Sequence, residues 1–128
     1  MNVWSFYEAL GEANRDGLTP VEQQVAAICD LRQEVNSGGF DTYFQRWGGN
    51  TAPTALAGLR PLLGQPWELL LKDALALFEG PYPLDADQRE DILDTLETDQ
   101  ALNELDGRFY ELEATTDADQ ALTRALDV

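Results

Sequence analysis

The stretch NSGGFDTYF, residues 36–44, decides how this chain can fold. Two adjacent glycines precede three aromatic residues at the i, i+3, i+4 spacing of one helix face, namely Phe40, Tyr43 and Phe44. Such a stretch is either a glycine-rich loop that cradles a ligand, or a helix end followed by an aromatic anchor. No lysine lies nearby and the formal net charge is −16, which disfavours a phosphate cradle. We therefore predict a helix end at Gly38 and Gly39, and a short helix over 40–46 with a buried aromatic face.

The sequence on both sides of this stretch predicts further helices. Thr19-Pro20-Val21-Glu22 is a capping box with proline at the first helical position. Apolar spacing predicts helices over residues 3–13, 19–35, 51–63, 66–79, about 85–96 and 99–113, and a last helix that holds Leu122 and Leu126. We also expect Trp47 to extend the aromatic face and Pro61 to kink or end its helix.

Composition favours the same fold class. Leu and Ala together number 35, whereas Val and Ile number seven, and unbranched apolar residues favour helix over strand. No alternation of period two is long enough for a strand. The sequence predicts an all-α protein, a single compact acidic domain of about six to eight helices over residues 1–128.

Charge is the strongest global feature of the sequence. Twenty-four acidic residues oppose eight basic ones, and fourteen of the acids lie in residues 80–128 with only three bases. Such a chain is repelled by nucleic acids and anionic membranes and attracted to basic proteins. Solubility, or adaptation to a salty cytoplasm, would also explain the acidity.

Several kinds of catalytic chemistry are missing. The chain has no histidine, so the usual general base and the commonest metal ligand are absent, and Cys29 alone cannot build a zinc site. Residues 85–94 (DADQREDILD) resemble a calcium loop but lack its glycine at the sixth position. A carboxylate-based hydrolase or metal binder is the remaining enzymatic alternative, and we predict no enzyme, no cofactor and no metal. Without a signal peptide or an apolar span, the prediction is a cytoplasmic protein.

One predicted helix carries an unusual arrangement of acids. At 100° per residue, five carboxylates over 87–97 fall within an arc of about 120°, and we call them the acidic face: Asp87, Glu90, Asp91, Asp94 and Glu97. Ile92, Leu93 and Leu96 lie on the opposite side, near 140° to 240°, and Arg89, the only base in the segment, lies there too, near 200°. The charges recur about every 3 Å along the axis, close to the ~3.4 Å spacing of phosphates on one DNA strand. Like charges this close destabilise an isolated helix, so the face indicates either a binding surface or a solvated acidic helix.

A family resemblance accompanies these patterns. The stretch VNSGGFDTYF, together with LNELDGRFYEL at residues 102–112, resembles the Asn-x-Gly-Gly-Phe-x-x-Tyr-Phe signature and the closing Leu-Asp-x-x-Phe-Tyr segment of a bacterial family. That family has a domain of unknown function and is named for an acidic DNA-mimic protein. The resemblance covers about residues 34–112, and Arg89 stands where the family often has an arginine. The resemblance implies an all-α fold and leaves open whether the protein forms a homodimer. It also implies that at least one relative occupies the DNA-binding surface of a transcription factor.

The sequence thus predicts a non-enzymatic acidic binding protein. Its expected partner is a basic protein, such as a transcription factor or another DNA-binding protein, which would contact the acidic face where phosphates would lie. An immunity or antitoxin-like protein that blocks a toxin is the alternative, because it would use the same acidic binding logic. We expect no direct contact with nucleic acid or membrane.

Overall fold

The computed structural model describes residues 2–11 and 14–127 of the chain, and these residues form helices and turns without any strand. Seven α-helices lie in this part: α1 (Val3–Leu10), α2 (Pro20–Gln45), α3 (Ala52–Leu63), α4 (Gln65–Leu75), α5 (Ala86–Leu96), α6 (Asp99–Thr115) and α7 (Ala118–Leu126). Three short 3-10 turns are interspersed: Arg15–Gly17, Trp47–Thr51 and Ala76–Phe78. The predicted fold class, an all-α single compact domain, is confirmed. Residues 12 and 13, which the first predicted helix also included, lie outside the described residues.

Helix α2 is central, because it packs against α1, α3, α5, α6 and α7. It begins with the predicted capping box, in which Thr19 and Glu22 bond to each other's backbone N–H. Its helical path is interrupted at Gly38 (φ −161°, ψ 19°) and Gly39 (φ 84°, ψ −179°). The second pair of angles is open essentially only to glycine, so the predicted break is confirmed.

After this break, residues 40–45 form the aromatic segment, and a carboxylate from α6 caps its start. The Phe40 backbone N–H donates a hydrogen bond of 2.8 Å to the Asp106 carboxylate. A negative charge at this end of a helix is favourable, and Gly39 has no side chain that could cap the segment locally. A Cβ atom on Gly39 would overlap the same carboxylate. Burial raises the pKa of Asp106, the bond from Phe40 opposes that rise, and the nearby Asp41 charge adds to it.

The side chains of the aromatic segment lie at the centre of the core, as predicted. Phe40, Tyr43 and Phe44 are fully buried. They stack on one another and on rings from α6 and from the 3-10 turn that follows α4, through the pairs Phe40–Phe109 at 6.3 Å and Phe44–Phe78 at 5.0 Å between centroids. Edge-to-face pairs of this kind add to the stability that burial itself provides.

The prediction for Trp47 is wrong, and so is a helix end at Pro61. Trp47 does not extend the buried face: Arg46 has an extended backbone, the helix ends at Gln45, and the Trp47 side chain is 59 % exposed beneath the Arg15 guanidinium. Pro61 does not end α3, which continues to Leu63. Proline there removes a single backbone N–H near the end of the helix, where the cost is smaller than in the middle.

Candidate functional site

All five carboxylates of the acidic face are exposed. Four of them lie on α5, whereas Glu97 is the residue that ends the helix, in a left-handed conformation (φ 53°, ψ 56°). The helix therefore stops one residue earlier than the arc over 87–97 assumed. The position of Glu97 is set by this turn and not by helical periodicity.

Bases elsewhere in the protein leave the acidic face unneutralised. Within residues 2–11 and 14–127, none of its five carboxylates makes an ion pair or a side-chain hydrogen bond. Five of the eight basic residues pair with carboxylates outside the face, at 2.5–3.8 Å: Arg15 with Asp30, Arg32 with Glu113 and Asp119, Arg46 with Glu34, Arg60 with Glu68, and Arg108 with Asp73. All the charges on the surface of α5 are therefore negative.

The only base of α5, Arg89, is fully buried on the opposite side of the helix. Its three guanidinium nitrogens donate hydrogen bonds to the carbonyls of Phe44 (2.8 Å), Pro83 (2.9 Å) and Arg46 (3.0 Å). The carbonyls of Phe44 and Arg46 lie at the C-terminal end of the aromatic segment, where a cation is favourable. The guanidinium also lies 5.3 Å from the centre of the Tyr82 ring. Arg89 thus joins α5 to α2 and keeps its own charge away from the acidic face.

The position of the acids along α5 is only partly explained by helix stability. Asp85 caps the helix by accepting the backbone N–H of Asp87, and acids in the first turn favour the positive end of the helix dipole. Asp94 and Glu97 lie at the other end, where the dipole is negative and where α5 has no basic residue in its last turn. Cations, not anions, stabilise that end. The C-terminal acids therefore cost stability that the fold itself does not recover.

Other charged groups of the protein serve the fold. Asp30 is buried at 2 % exposure and accepts hydrogen bonds from Tyr7, Arg15 and Thr51. Burial and the bond to Asp30 raise the pKa of the Tyr7 hydroxyl. Cys29 is fully buried, and burial raises the pKa of its thiol to about 12, so it is a small core residue and not a reactive thiolate.

Two kinds of feature are absent from the described residues. No group of three or more His, Cys, Asp or Glu side chains within 2–11 and 14–127 could hold a metal ion. No helix of this part of the chain is both long enough and apolar enough to cross a bilayer.

Sequence reasoning did not identify the partners of three residues at or near this site. It placed Arg89 off the acidic face, but two of the three carbonyls that it binds, those of Phe44 and Arg46, lie 45 and 43 residues away in sequence. It placed Asp106 in the closing segment of the family resemblance but did not predict that this carboxylate caps a helix 66 residues away. It did not associate Glu79 with α5, although Glu79 lines a groove together with Asp91. No local sequence pattern predicts such contacts, because only the tertiary fold brings these residues together.

Comparison with known proteins places the chain in a family. No curated protein and no solved structure matches it. The model of the family described as DMP19-like protein matches residues 16–127, which include α2 to α7 and the whole acidic face. This match is wider than the resemblance over 34–112 that the sequence patterns indicated. With most of its length matched, the chain belongs to the DMP19-like protein family.

Proposed function

We propose that this protein is a non-enzymatic DNA mimic, which presents the acidic face to the basic surface of a DNA-binding protein. One observation carries the proposal: five exposed carboxylates, four on α5 and one at its C-terminal end, form no ion pair among the described residues, while the only base of that helix is buried beneath them. The DMP19-like family is a DNA-mimic family, which supports the same function.

The placement of the acids favours this function over solubility alone. A surface that needed only solubility could alternate charges at i, i+4 and gain stability from the pairs. The acidic face instead repeats one sign and extends it to the unfavourable end of the helix dipole. A basic partner would supply the missing cations, and its attraction would speed association and select against acidic competitors.

The test is affinity capture from the native cytoplasm at low and at high salt. The wild type is compared with two variants of equal net charge. The first reverses part of the acidic face (Asp87→Lys, Glu90→Lys, Asp94→Lys), and the control reverses three exposed acids elsewhere (Glu8→Lys, Asp16→Lys, Glu111→Lys). We expect the wild type and the control to retain the partner at low salt, and the first variant to lose it. A partner that stays bound to the face variant and at high salt would overturn the proposal.

Competition with DNA separates mimicry from the toxin-blocking alternative. A mimic and duplex DNA occupy the same surface of the partner, so added DNA is expected to displace the protein. If DNA leaves the complex intact and the captured protein is a toxin, the alternative function replaces the proposed one.

A further inference from the structure

A shallow apolar groove lies directly beside the acidic face. It has a volume of about 380 Å³ and runs between α5 and the 3-10 turn Ala76–Phe78. Its lining residues are Phe78, Glu79, Asp91, Ile92, Thr95 and Leu96. Three of these are apolar and two are carboxylates, so the groove has an apolar interior and an acidic edge.

The groove and the acidic face form one continuous surface. Asp91 belongs to both. On a helical wheel drawn at about 100° per residue, Thr95, Ile92 and Leu96 follow Asp91 in that order around α5. Leu96 is 39 % exposed, although helical spacing places it with Ile92 and Leu93 on the side opposite the acidic face. An exposed leucine inside a groove is an available contact for another apolar side chain.

One of the two carboxylates at the edge of the groove belongs to a residue with a strained backbone. Glu79 has a left-handed backbone (φ 54°) at the end of the 3-10 turn, where glycine would be free of strain. Its exposed carboxylate contributes the second negative charge of the lining, opposite to α5. The carboxylates thus come from two separate elements of the fold.

Resting on the proposed function, we propose that the groove binds an apolar side chain of the partner, within a basic segment whose Lys and Arg residues contact the acidic face. Charge complementarity selects this occupant. A second copy of the chain would bring two acidic faces together, at a net charge of −16 on each chain. A partner segment with a leucine, isoleucine or methionine among basic residues satisfies both the apolar interior and the acidic edge.

The groove would give the surface a specificity that charge alone lacks. Phosphate-like charges attract any basic protein, whereas an apolar side chain in a shaped groove discriminates among them. The partner would therefore be recognised through its basic residues and one apolar anchor together.

Two synthetic peptides of identical positive charge test this inference. Both are amphipathic helices rich in lysine and arginine: one carries leucines on its apolar side, and the other carries glutamine at the same positions. Their affinities are measured by fluorescence anisotropy at low salt. We expect the leucine peptide to bind about tenfold more tightly, the effect of burying roughly half of a leucine side chain.

Variants of the chain locate this preference. Leu96→Gln is expected to abolish it, whereas Leu69→Gln, a change at a similarly exposed leucine on α4 (42 %), is expected to preserve it. Thr95→Gln, which narrows the groove at an exposed position, is a second variant in case Leu96→Gln alters folding. Unchanged unfolding midpoints confirm that the variants are folded.

The outcomes separate the groove from the proposed function. If both peptides bind the wild type equally, and neither binds the variant with reversed face charges, the proposed role of the groove is refuted. The proposed function of the acidic face then stands. A leucine preference that survives both groove variants also overturns the groove. If neither peptide binds even at low salt, the proposed function fails as well. Self-association of the wild type that Leu96→Gln abolishes would make a second copy the occupant and overturn the inference.

Discussion

Replacing Arg89 by methionine should destabilise the protein strongly, although it removes one unneutralised charge from the interior. The guanidinium of Arg89 is fully buried and donates three hydrogen bonds of 2.8–3.0 Å, to the carbonyls of Phe44, Pro83 and Arg46. Methionine fills much of the same space but cannot donate a hydrogen bond. The three carbonyls would lose this donor, the Phe44 carbonyl in a buried site and the other two in partly buried sites.

The magnitude follows from two opposing contributions. Each hydrogen bond to a charged group contributes about 1.5–3 kcal/mol, so three of them contribute about 5–9 kcal/mol. Removing a buried cation recovers a desolvation penalty of several kcal/mol. We expect the free energy of unfolding to fall by about 3–4 kcal/mol, a large part of the ~5–15 kcal/mol typical of a domain. Arg89→Lys should lower the free energy of unfolding by about half as much, because one ammonium cannot reproduce the planar fork of donors.

Urea unfolding followed by tryptophan fluorescence measures this effect, since Trp67 is buried in the core. Arg60→Met is the matched control: it makes the same change in charge at an exposed residue, whose pair with Glu68 spans 3.4 Å. Its cost should remain below about 1 kcal/mol. Equal unfolding midpoints for Arg89→Met and Arg60→Met would refute the assignment of Arg89 as the anchor of α5.

Binding gives a second, sharper outcome for the same variant. Arg89→Met makes the protein more negative, so net charge alone predicts tighter binding to a basic partner. If Arg89 positions the acidic face, binding weakens instead, because α5 loses its attachment to α2. Tighter binding by Arg89→Met than by wild type would show that the placement of the helix does not matter.

Three further substitutions test the backbone and the charge network. Gly39→Ala should cost about 2–4 kcal/mol in urea unfolding, because φ is 84° and the new Cβ atom would overlap the Asp106 carboxylate; a stable variant would contradict this. Glu97→Gly should instead raise the free energy of unfolding by about 0.5–1 kcal/mol by relieving a left-handed backbone, and an unchanged midpoint would contradict it. Burial of the Asp119 carboxylate raises its pKa, but hydrogen bonds from Arg32 and from the indole N–H of Trp4 outweigh this effect. The pKa of Asp119 is therefore lowered from its ordinary value. The stability that this carboxylate contributes is therefore complete above the unfolded pKa and is lost as pH falls through the lower folded pKa. Asp119→Asn should lose less stability than wild type as pH falls below about 4, the pKa of an aspartate in the unfolded chain, and parallel pH curves would contradict that.

The sequence predicted those parts of the fold that local signals determine. The capping box at Thr19 and the break at Gly38 and Gly39 were predictable because each signal lies within a few residues of its effect. The prediction for Trp47 was wrong because helical spacing was continued across Arg46, whose backbone is extended. Spacing cannot show where a helix stops when the nearest glycines, here Gly48 and Gly49, lie beyond its last residue.

The candidate site was predictable to a similar degree. Periodicity placed Asp87, Glu90, Asp91 and Asp94 on one exposed side of α5, as the structure has them. It did not determine the position of Glu97, because α5 ends at Leu96. The groove was not predictable, since Glu79 reaches it from a different element.

Arg89 connects the fold and the site in a way that a leucine or a lysine at the same position would not. A leucine could fill the space beneath α5, but it would leave the ends of the aromatic segment without a donor. A lysine has a flexible stem and a single ammonium, which could extend towards the nearest carboxylates at the surface. Arginine engages all three nitrogens with backbone carbonyls, so its charge is held inside the protein. The interaction that attaches α5 to the core thereby also preserves the uncompensated negative charge on its outer side, the property that the proposed partner requires.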